Sequence, residues 1–599
     1  MESLPISLPP ADLLSTIPPS PPTESPIDLS RLSSPEPDPD EQVNGEVNPP
    51  HDAASAGSRS NSVPPTKRTG SSTKKARSKS AIQKQLSVQA AASRQRESVL
   101  YSNPDITSKI DFDGLAVDMA IHLLDLHWNR LHFTYLLTYR PAIADSLLNN
   151  GPYINKLLLS AIYLQSSVHS DLQFHADPDD PQSIGMPFYD RFKKLLPKYI
   201  DEPTLPTIVA LLICGECLIP YGKQSAGWVY CGMAYRMITD LGYHLDVPPE
   251  KYAQLGLTAV DMEIRKRVYW GAYATDKFQS ICLGRQPALS LLESTIPSDF
   301  LDCHEEWLEW KPYKDPNFPT PGLDNYPGRP AHALSVFQRS LRLATVTERI
   351  IKSMYSVNKV PLTASETLHT RNMLKSHLVH WRANIPPHFR FGISDDIPPP
   401  PHLLSLYVTH WSLVILIEQP FLNRSQLDPN MNPAAKEEGR KSCVTAALEI
   451  WRLLDAYNTA FGFKHAHYGL FYAAYSAVAV MLQHAKQDSP DYVKCLRFFW
   501  MMLSEYQRGY ARGLEKPLKL PGCLLVRIKG IFDQHANMSE SDQTTGGLEI
   551  NDVRMGIRRF LDLESLESGS FDAWLDSQTG LTFDDAFFAE YSMFGLFGH

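Results

Sequence analysis

The feature that most constrains the fold is a series of long apolar stretches at helical spacing between about residues 111 and 532. Apolar residues recur within them at three- and four-residue steps, and period-two strand patterns are scarce. Proline-rich breaks at 313–330 and 396–402 separate the stretches, because proline cannot continue a helix. We therefore predict an all-α, irregular multi-helix domain over residues 109–532. The clearest helical stretches are 116–137, 153–169, 205–219, 225–241, 261–283 and 403–422.

The first 108 residues are rich in proline, serine and charge, and poor in aromatic residues. Residues 1–50 hold nine acidic residues against one basic residue, whereas residues 51–100 hold ten basic residues against two acidic ones. A segment of this composition buries too little apolar surface to offset its ordering entropy. We expect residues 1–108 to form a disordered arm, acidic and proline-rich at first and then basic.

A split basic cluster lies in the second part of this arm. Its composition fits a nuclear-import signal or an arm that contacts DNA phosphates. A solvated linker has the same composition, so the sequence leaves all three interpretations open. The cluster consists of Lys67, Arg68, Lys74, Lys75, Arg77 and Lys79.

The bulk properties point to the nucleus or the cytoplasm. The formal net charge is −9, so the total charge gives no argument for nucleic-acid binding. The eight cysteines have no framework spacing, which favours reduced thiols. The sequence shows no credible secretory signal and no apolar run of membrane-spanning length, so we expect no membrane association.

The segment 225–246 (SAGWVYCGMAYRMITDLGYHLD) predicts one amphipathic helix with a single apolar stripe. Gly232 would let a neighbouring helix approach closely. Arg236 and Asp240 are four residues apart and can pair on the polar face. Gly242 suits the left-handed conformation that ends a helix.

The segment 263–289 (EIRKRVYWGAYATDKFQSICLGRQPAL) predicts the next helix. Trp270, Tyr273 and Ile281 fall on one face and are expected to be buried together. Pro287 prevents the helix from resuming after the Leu-Gly-Arg sequence that closes it.

One charged residue of this second helix lies among apolar neighbours. Asp276 is in mid-helix, and a buried carboxylate is costly unless it is paired. We expect Arg285 or Arg236 to be its partner, and we expect that ion pair to fix how the two helices pack.

Together the two segments resemble the paired signatures of the middle regulatory domain of fungal binuclear zinc-cluster transcription factors. A further segment at 132–143 (HFTYLLTYRPAI) resembles the opening of that domain, and the resemblance spans about residues 115–530. It looks closest to the branch that includes nitrate-assimilation and xylanolytic activators. The first signature matches at Trp228, Gly232, Ala234, Arg236, Asp240, Leu241, Gly242 and His244. The second signature matches at Glu263, Arg267, Tyr269, Trp270, Asp276, Leu283, Gly284, Arg285 and Pro287.

The resemblance implies a nuclear regulator of RNA polymerase II transcription, most simply an activator. It also implies partners in the transcription machinery or a coactivator. A partner-dependent coregulator and a scaffold that binds a small effector in a helical pocket are the alternatives within this class.

The cysteine pattern departs from the family. Family members carry six N-terminal cysteines that bind two zinc ions and place a short helix in the DNA major groove. The first cysteine here is Cys214, so residues 1–213 cannot form that site. Cys214 and Cys217 lie on an apolar helix and are expected to be buried, inert thiols. We expect no zinc and no other cofactor in this chain.

Three explanations of DNA contact stay open. A DNA-binding partner protein or a homodimer can supply it. The basic segment 67–96 can supply weak, salt-sensitive phosphate contact without reading sequence. A zinc-cluster segment upstream of this sequence can supply it as well.

The tail at 533–599 contains a segment, 561–599, with eight acidic residues, eight aromatic residues and no lysine or arginine. Repulsion among the carboxylates keeps the rings available for a coactivator groove, as in activation segments. A helix folded back onto the domain is the alternative. The residues expected to activate are Phe571, Trp574, Leu575, Phe583, Phe587, Phe588 and Tyr591.

An all-α enzyme is the competing class, and its signals are weak. His465 and His467 would point about 200° apart on a helix, which suits a single metal ion poorly. The aspartates at 177–180 lack helical spacing, and the sequence shows no P-loop, GxSxG or HExxH motif. We expect neither catalytic nor metal-binding residues.

Overall fold

The computed structural model describes residues 70–502 with short internal gaps, and its described part confirms the all-α prediction. The gaps are residues 102, 171, 173, 178, 181–182, 302–303, 314–325, 357–362, 393–396, 423–432, 464–465, 486–490, 493, 497 and 500. The α-helices of this part are α1 (Gly70–Tyr101), α2 (Pro104–Thr107), α3 (Val117–Leu126), α4 (His132–Tyr135), α5 (Arg140–Asn149), α6 (Lys156–Ser167), α7 (Met186–Ile200), α8 (Leu205–Leu218), α9 (Gln224–Asp240), α10 (Ala259–Leu283), α11 (Ala333–Met354), α12 (Ala364–Ala383), α13 (Pro401–Leu422), α14 (Pro433–Phe461) and α15 (Tyr468–His484).

The predicted helical stretches correspond closely to observed helices. The stretch 116–137 is α3 followed by a π-helical segment, His127–Leu131, and then α4. The other five stretches are α6, α8, α9, α10 and α13, whose ends differ from the predicted ends by a few residues. The two strands β1 (Glu309–Trp310) and β2 (Arg329–Pro330) form a short antiparallel pair.

Residues 70–101 differ from the predicted disordered arm because they form α1, which packs on α5. Leu86 and Ala90 are fully buried on one face of α1. Glu97 is buried on the same helix, and its carboxylate accepts a hydrogen bond from Arg140 Nε at 3.0 Å. Composition averaged over the whole arm hid this short apolar face. Residues 1–69 lie outside the described part of the chain.

Two clusters of buried apolar side chains form the interior. The first, here called the N-terminal core, draws its residues mainly from α3 to α9, and the second, the C-terminal core, mainly from α12 to α15. Helices α10 and α11 contribute to both. On α10, for example, Tyr273 packs in the N-terminal core and Ile281 in the C-terminal core. These two helices therefore tie the two cores together.

Two glycines set the close approach of α8 and α9. A Cβ atom at Gly227 on α9 would clash with the carbonyl oxygen of Gly215 on α8. A Cβ atom at Gly215 would lie 2.8 Å from the carbonyl oxygen of Gly227. Gly232 does not have the role predicted for it, because a Cβ atom there would meet nothing within 4 Å. The close approach of α9 to α8 is therefore at Gly227, five residues before the predicted Gly232.

This difference gives a paired prediction. Gly227→Ala is expected to lower the free energy of unfolding by about 1 to 3 kcal/mol, because the backbones of α8 and α9 must separate. Gly232→Ala, on the same helix, is expected to be neutral or to stabilise by about 0.5 to 1 kcal/mol, because alanine loses less backbone entropy. Denaturant unfolding of both variants measures the difference. Equal stability of the two would contradict the assigned crossing point.

Candidate functional site

The carboxylate of Asp276 holds the loop that follows α10. Its Oδ1 accepts a hydrogen bond from the amide of Ala288 at 2.9 Å, and its Oδ2 accepts one from the amide of Leu289 at 2.9 Å. Lys277 Nζ lies 2.6 Å from Oδ2 and also donates to the Leu289 carbonyl oxygen. The prediction that Arg285 or Arg236 pairs with Asp276 is therefore wrong. The partners are the adjacent lysine and two backbone amides of the returning chain.

Both charges of this pair are fully buried. Burial raises the pKa of Asp276 above its usual value, although Lys277 and the two amides favour the ionised form. Burial lowers the pKa of Lys277 in turn. Removing one partner of such a buried pair is expected to destabilise the fold strongly, because the other charge stays buried without compensation.

Arg285 has another role, which joins the two sequence signatures. Its guanidinium carbon lies 5.3 Å from the ring centroid of Trp228 in the first signature, a cation–π contact. Gly284 and Gly242 both have positive φ, at 65° and 66°, as the predicted helix ends require. Arg236 is exposed on α9.

A second buried network surrounds Arg267 on α10. Its Nη1 lies 2.5 Å from Glu305 Oε2, and its Nε lies 3.5 Å from Glu263 Oε1. His132, from the segment resembling the opening of the family domain, contacts Glu305 Oε1 through Nε2 at 2.9 Å. All four side chains are buried. The network links α10, α4 and the short turn His304–Glu306.

Burial alone would raise the pKa of Glu305, but the charge of Arg267, with His132 beside it, holds that pKa far below its usual range. Glu305 is therefore ionised in the folded protein near neutral pH. It serves as the anion that compensates the buried guanidinium.

The chain after the second signature is held by further signature residues. Glu263 accepts a hydrogen bond from the amide of Leu301, and Trp270 Nε1 donates to the carbonyl oxygen of Pro297 at 3.0 Å. His244 takes part through its backbone, because its carbonyl oxygen accepts from Thr295 N at 3.0 Å. The signature residues on α10 thus position a loop and are not arranged around reacting groups.

The cysteines and the candidate metal residues give no metal centre in the described part of the chain. Cys214 and Cys217 are buried as predicted, and burial raises the pKa of both thiols. His467 caps α15 by accepting from Gly469 N at 3.1 Å, whereas His465 lies outside the described residues. Within the helices that the structure describes, none is long and apolar enough to cross a membrane.

A cavity of about 190 Å³ lies where the N-terminal and C-terminal cores meet. Its walls come from α4, α8, α10, α11, α13, α14 and α15, so residues more than 300 positions apart line it. The sequence did not predict this cavity, because its lining residues are far apart in the chain and share no local pattern. Its lining is rich in aromatic rings, among them Tyr135, Phe278, Trp310, Phe461, Tyr468 and Tyr472.

One buried carboxylate lines this cavity. Glu216 on α8 has only 4% of its surface exposed. Its Oε2 accepts a hydrogen bond from the Tyr468 hydroxyl at 2.8 Å and lies 3.7 Å from His467 Nε2. Its Oε1 is buried as well. Burial raises the pKa of the Tyr135 hydroxyl, and both the negative charge of Glu216 and a hydrogen bond to its carboxylate add to that effect.

Most of the residues predicted for nuclear import and activation lie outside the residues that the structure describes. Helix α1 contains four of the predicted import residues, Lys74, Lys75, Arg77 and Lys79. Lys67, Arg68 and the whole segment 561–599 lie outside the described residues.

A family model identifies the region that contains both signatures and both buried ionic networks. The model of the fungal specific transcription factor domain matches residues 124–383. This chain carries a fungal specific transcription factor domain. The match begins within α3 and ends with the last residue of α12. Helices α13 to α15, which complete the C-terminal core and the cavity, therefore follow the matched part of the domain.

Curated relatives of the chain are fungal proteins. The nitrogen assimilation transcription factor nirA of Emericella nidulans is 26% identical over 51% of this chain and 33% of its own length. The nitrogen assimilation transcription factor nit-4 of Neurospora crassa is 22% identical over 60% of this chain and 33% of its own length. An uncharacterized transcriptional regulatory protein of Schizosaccharomyces pombe is 25% identical over 70% of this chain and 67% of its own length.

The chain thus spans only about a third of the first two relatives. No solved structure shows significant similarity to this chain.

Proposed function

We propose that this protein is a nuclear regulator of RNA polymerase II transcription that activates through its acidic, aromatic tail. The observation that carries the proposal is the fungal specific transcription factor domain at 124–383, with its two signatures packed against each other through Arg285 and Trp228. The relatives described above are transcription factors and regulators by name, which supports the same class. The buried residues of the second signature hold the following chain in place, which fits a regulatory domain better than an enzyme.

We further propose that sequence-specific DNA contact comes from outside these 599 residues. No cysteine precedes Cys214, so the zinc cluster of the family cannot form in the first 213 residues. A DNA-binding partner protein, a homodimer of this chain, or a zinc-cluster segment encoded upstream would each supply the contact. The partner at the tail would be a coactivator or the transcription machinery.

The activation step is tested by tethering the full chain to a heterologous DNA-binding domain upstream of a reporter. The tethered chain is expected to activate, and Trp574→Ala combined with Phe587→Ala is expected to reduce the signal about tenfold or more, because buried aromatic anchors dominate such contacts. Trp307→Ala is the matched control, since Trp307 is an exposed ring within the domain. Silence of the tethered chain, or an equal loss in the control, would contradict activation by the tail.

Localisation in cells tests the import signal, and the purified chain tests the source of the DNA contact. As the import signal, the basic cluster is expected to be required for nuclear accumulation, so alanine at all six of its positions is expected to abolish it. These positions are Lys67, Arg68, Lys74, Lys75, Arg77 and Lys79.

A gel shift of the purified chain is expected to show at most weak binding that salt removes. Tight, sequence-specific binding by the purified chain would contradict an external source of DNA contact.

A further inference from the structure

The charged groups on the wall of the cavity between the two cores are already engaged within the protein. Tyr135 and Tyr468 both form hydrogen bonds with the carboxylate of Glu216, which is buried. Arg130 is the other lining residue of the described wall that carries a full charge, and it also interacts with groups of the protein. A molecule in the cavity therefore meets neither charge as a free partner.

Several other ionisable side chains of the wall are neutral at physiological pH. Burial raises the pKa of the Cys217 and Cys282 thiols, and burial lowers the pKa of His402 to about 4. The Nε2 atom of His402 lies 2.6 Å from the carbonyl oxygen of Ala331, to which it donates. These groups thus favour an occupant without charge.

The face that α13 turns to the cavity is made of short side chains. Ser405, Thr409 and Ser412 line the cavity at steps of four and three residues, on a helix that is otherwise largely apolar. Each hydroxyl donates at 2.9 Å to the carbonyl oxygen four residues earlier on the same helix. These side chains are therefore satisfied locally, and they are too short to fill the space beside α13.

A void in an apolar interior is unfavourable, because the side chains around it lose the contacts they would make in a packed core. An apolar occupant restores those contacts without breaking any hydrogen bond of the wall. The aromatic rings of the lining, such as Phe278, Trp310 and Phe461, offer edges and faces to a further ring.

We propose that this cavity binds a small, neutral aromatic molecule, held by apolar packing and ring contacts. The cavity volume of about 190 Å³ limits the ligand to about one ring with a short chain or two fused rings, since a cavity of about 150 Å³ holds benzene. The site rests on the cavity alone and does not depend on the proposed transcriptional role.

Binding to the purified full chain is measured by calorimetry with ethylbenzene, benzylamine and benzoate. These probes have similar size, and at neutral pH they are uncharged, positively charged and negatively charged. Ethylbenzene is expected to bind as one molecule per chain, with a negative heat-capacity change from the burial of apolar surface. It is expected to bind about 30 times or more as tightly as either ion, because a buried charge without a partner is costly.

Substitutions on α13 locate the bound probe. Thr409→Phe places a ring in the cavity and is expected to weaken ethylbenzene binding about tenfold or more, while the smaller change Ser405→Leu is expected to weaken it about threefold to tenfold. Thr459→Phe is the matched control, because Thr459 is exposed on α14 and donates to Asp455 O at 2.9 Å in the same way. The control is expected to bind ethylbenzene as wild type does.

The wild-type measurement decides the question even if a variant does not fold. Equal or tighter binding of benzylamine or benzoate would overturn the proposal, and so would the absence of ethylbenzene binding near its solubility limit. Wild-type affinity in both α13 variants would overturn it as well, by placing the probe elsewhere. An equal loss in Thr459→Phe would have the same consequence, because the loss would then not come from the cavity.

Discussion

Replacing Asp276 with alanine is expected to lower the free energy of unfolding by about 3 to 5 kcal/mol, which is the cost of leaving a buried partner charge uncompensated. The ammonium group of Lys277 would remain fully buried beside two backbone amides that have lost their acceptor. The loop at 284–289 would lose its attachment to α10. The measurement is the denaturant midpoint of the purified chain, or the yield of soluble protein where the variant fails to fold.

Two further variants make this result specific. Asp240→Ala removes an exposed carboxylate of the first signature and is expected to change stability by no more than about 0.5 kcal/mol. Asp276→Asn combined with Lys277→Met removes both charges and is expected to be less damaging than Asp276→Ala, because no unpaired charge remains. An unchanged melting temperature for Asp276→Ala would show that the carboxylate does not hold the loop.

Replacing Arg267 with methionine is expected to lower the free energy of unfolding by a similar amount, about 3 to 5 kcal/mol at neutral pH. Methionine fills much of the volume, but Glu305 and Glu263 would be left buried without the guanidinium that compensates them. Arg349→Met on α11 is the control, because Arg349 is exposed. It is expected to shift stability only slightly.

The pH dependence of this variant separates lost charge from lost packing. Because the folded-state pKa of Glu305 lies below its usual value of 4.5, the ionised carboxylate contributes stability above about pH 4.5, and this contribution is lost as pH falls below it. In Arg267→Met, burial without the guanidinium favours the protonated acid. The difference in stability between wild type and variant is therefore expected to shrink as the pH is lowered from 7 towards 4. A difference that does not change with pH would assign the effect to packing.

The helices could be predicted from the sequence because helix formation depends on spacing over a few turns. The stretches that became α6, α8, α9, α10 and α13 carry apolar residues at that spacing, and the glycines at 242 and 284 mark two helix ends. Helix α1 escaped prediction because a short apolar face, centred on Leu86 and Ala90, is diluted by charged and polar neighbours.

The partners of buried charges could not be predicted in the same way. We expected Arg285 or Arg236 as the partner of Asp276, but the chain turns back after Gly284 and brings two amides and the neighbouring Lys277 to the carboxylate. Arg267 meets Glu305, which lies 38 positions away on a short turn that has no periodic signature. The role given to Gly232 belongs to Gly227, because the contact surface of a helix depends on which neighbour it meets.

By itself, the sequence determined the helical class, the two signatures on α9 and α10 and the burial of Cys214 and Cys217, since each depends on residues within a few turns of one another. Only the tertiary structure decided that Arg285 covers Trp228, that Asp276 holds the following loop, and that a cavity with a buried Glu216 lies between the two cores. The physical reason is that burial and counter-charge are supplied by segments far apart in the chain, and spacing along the sequence does not encode which of them meet.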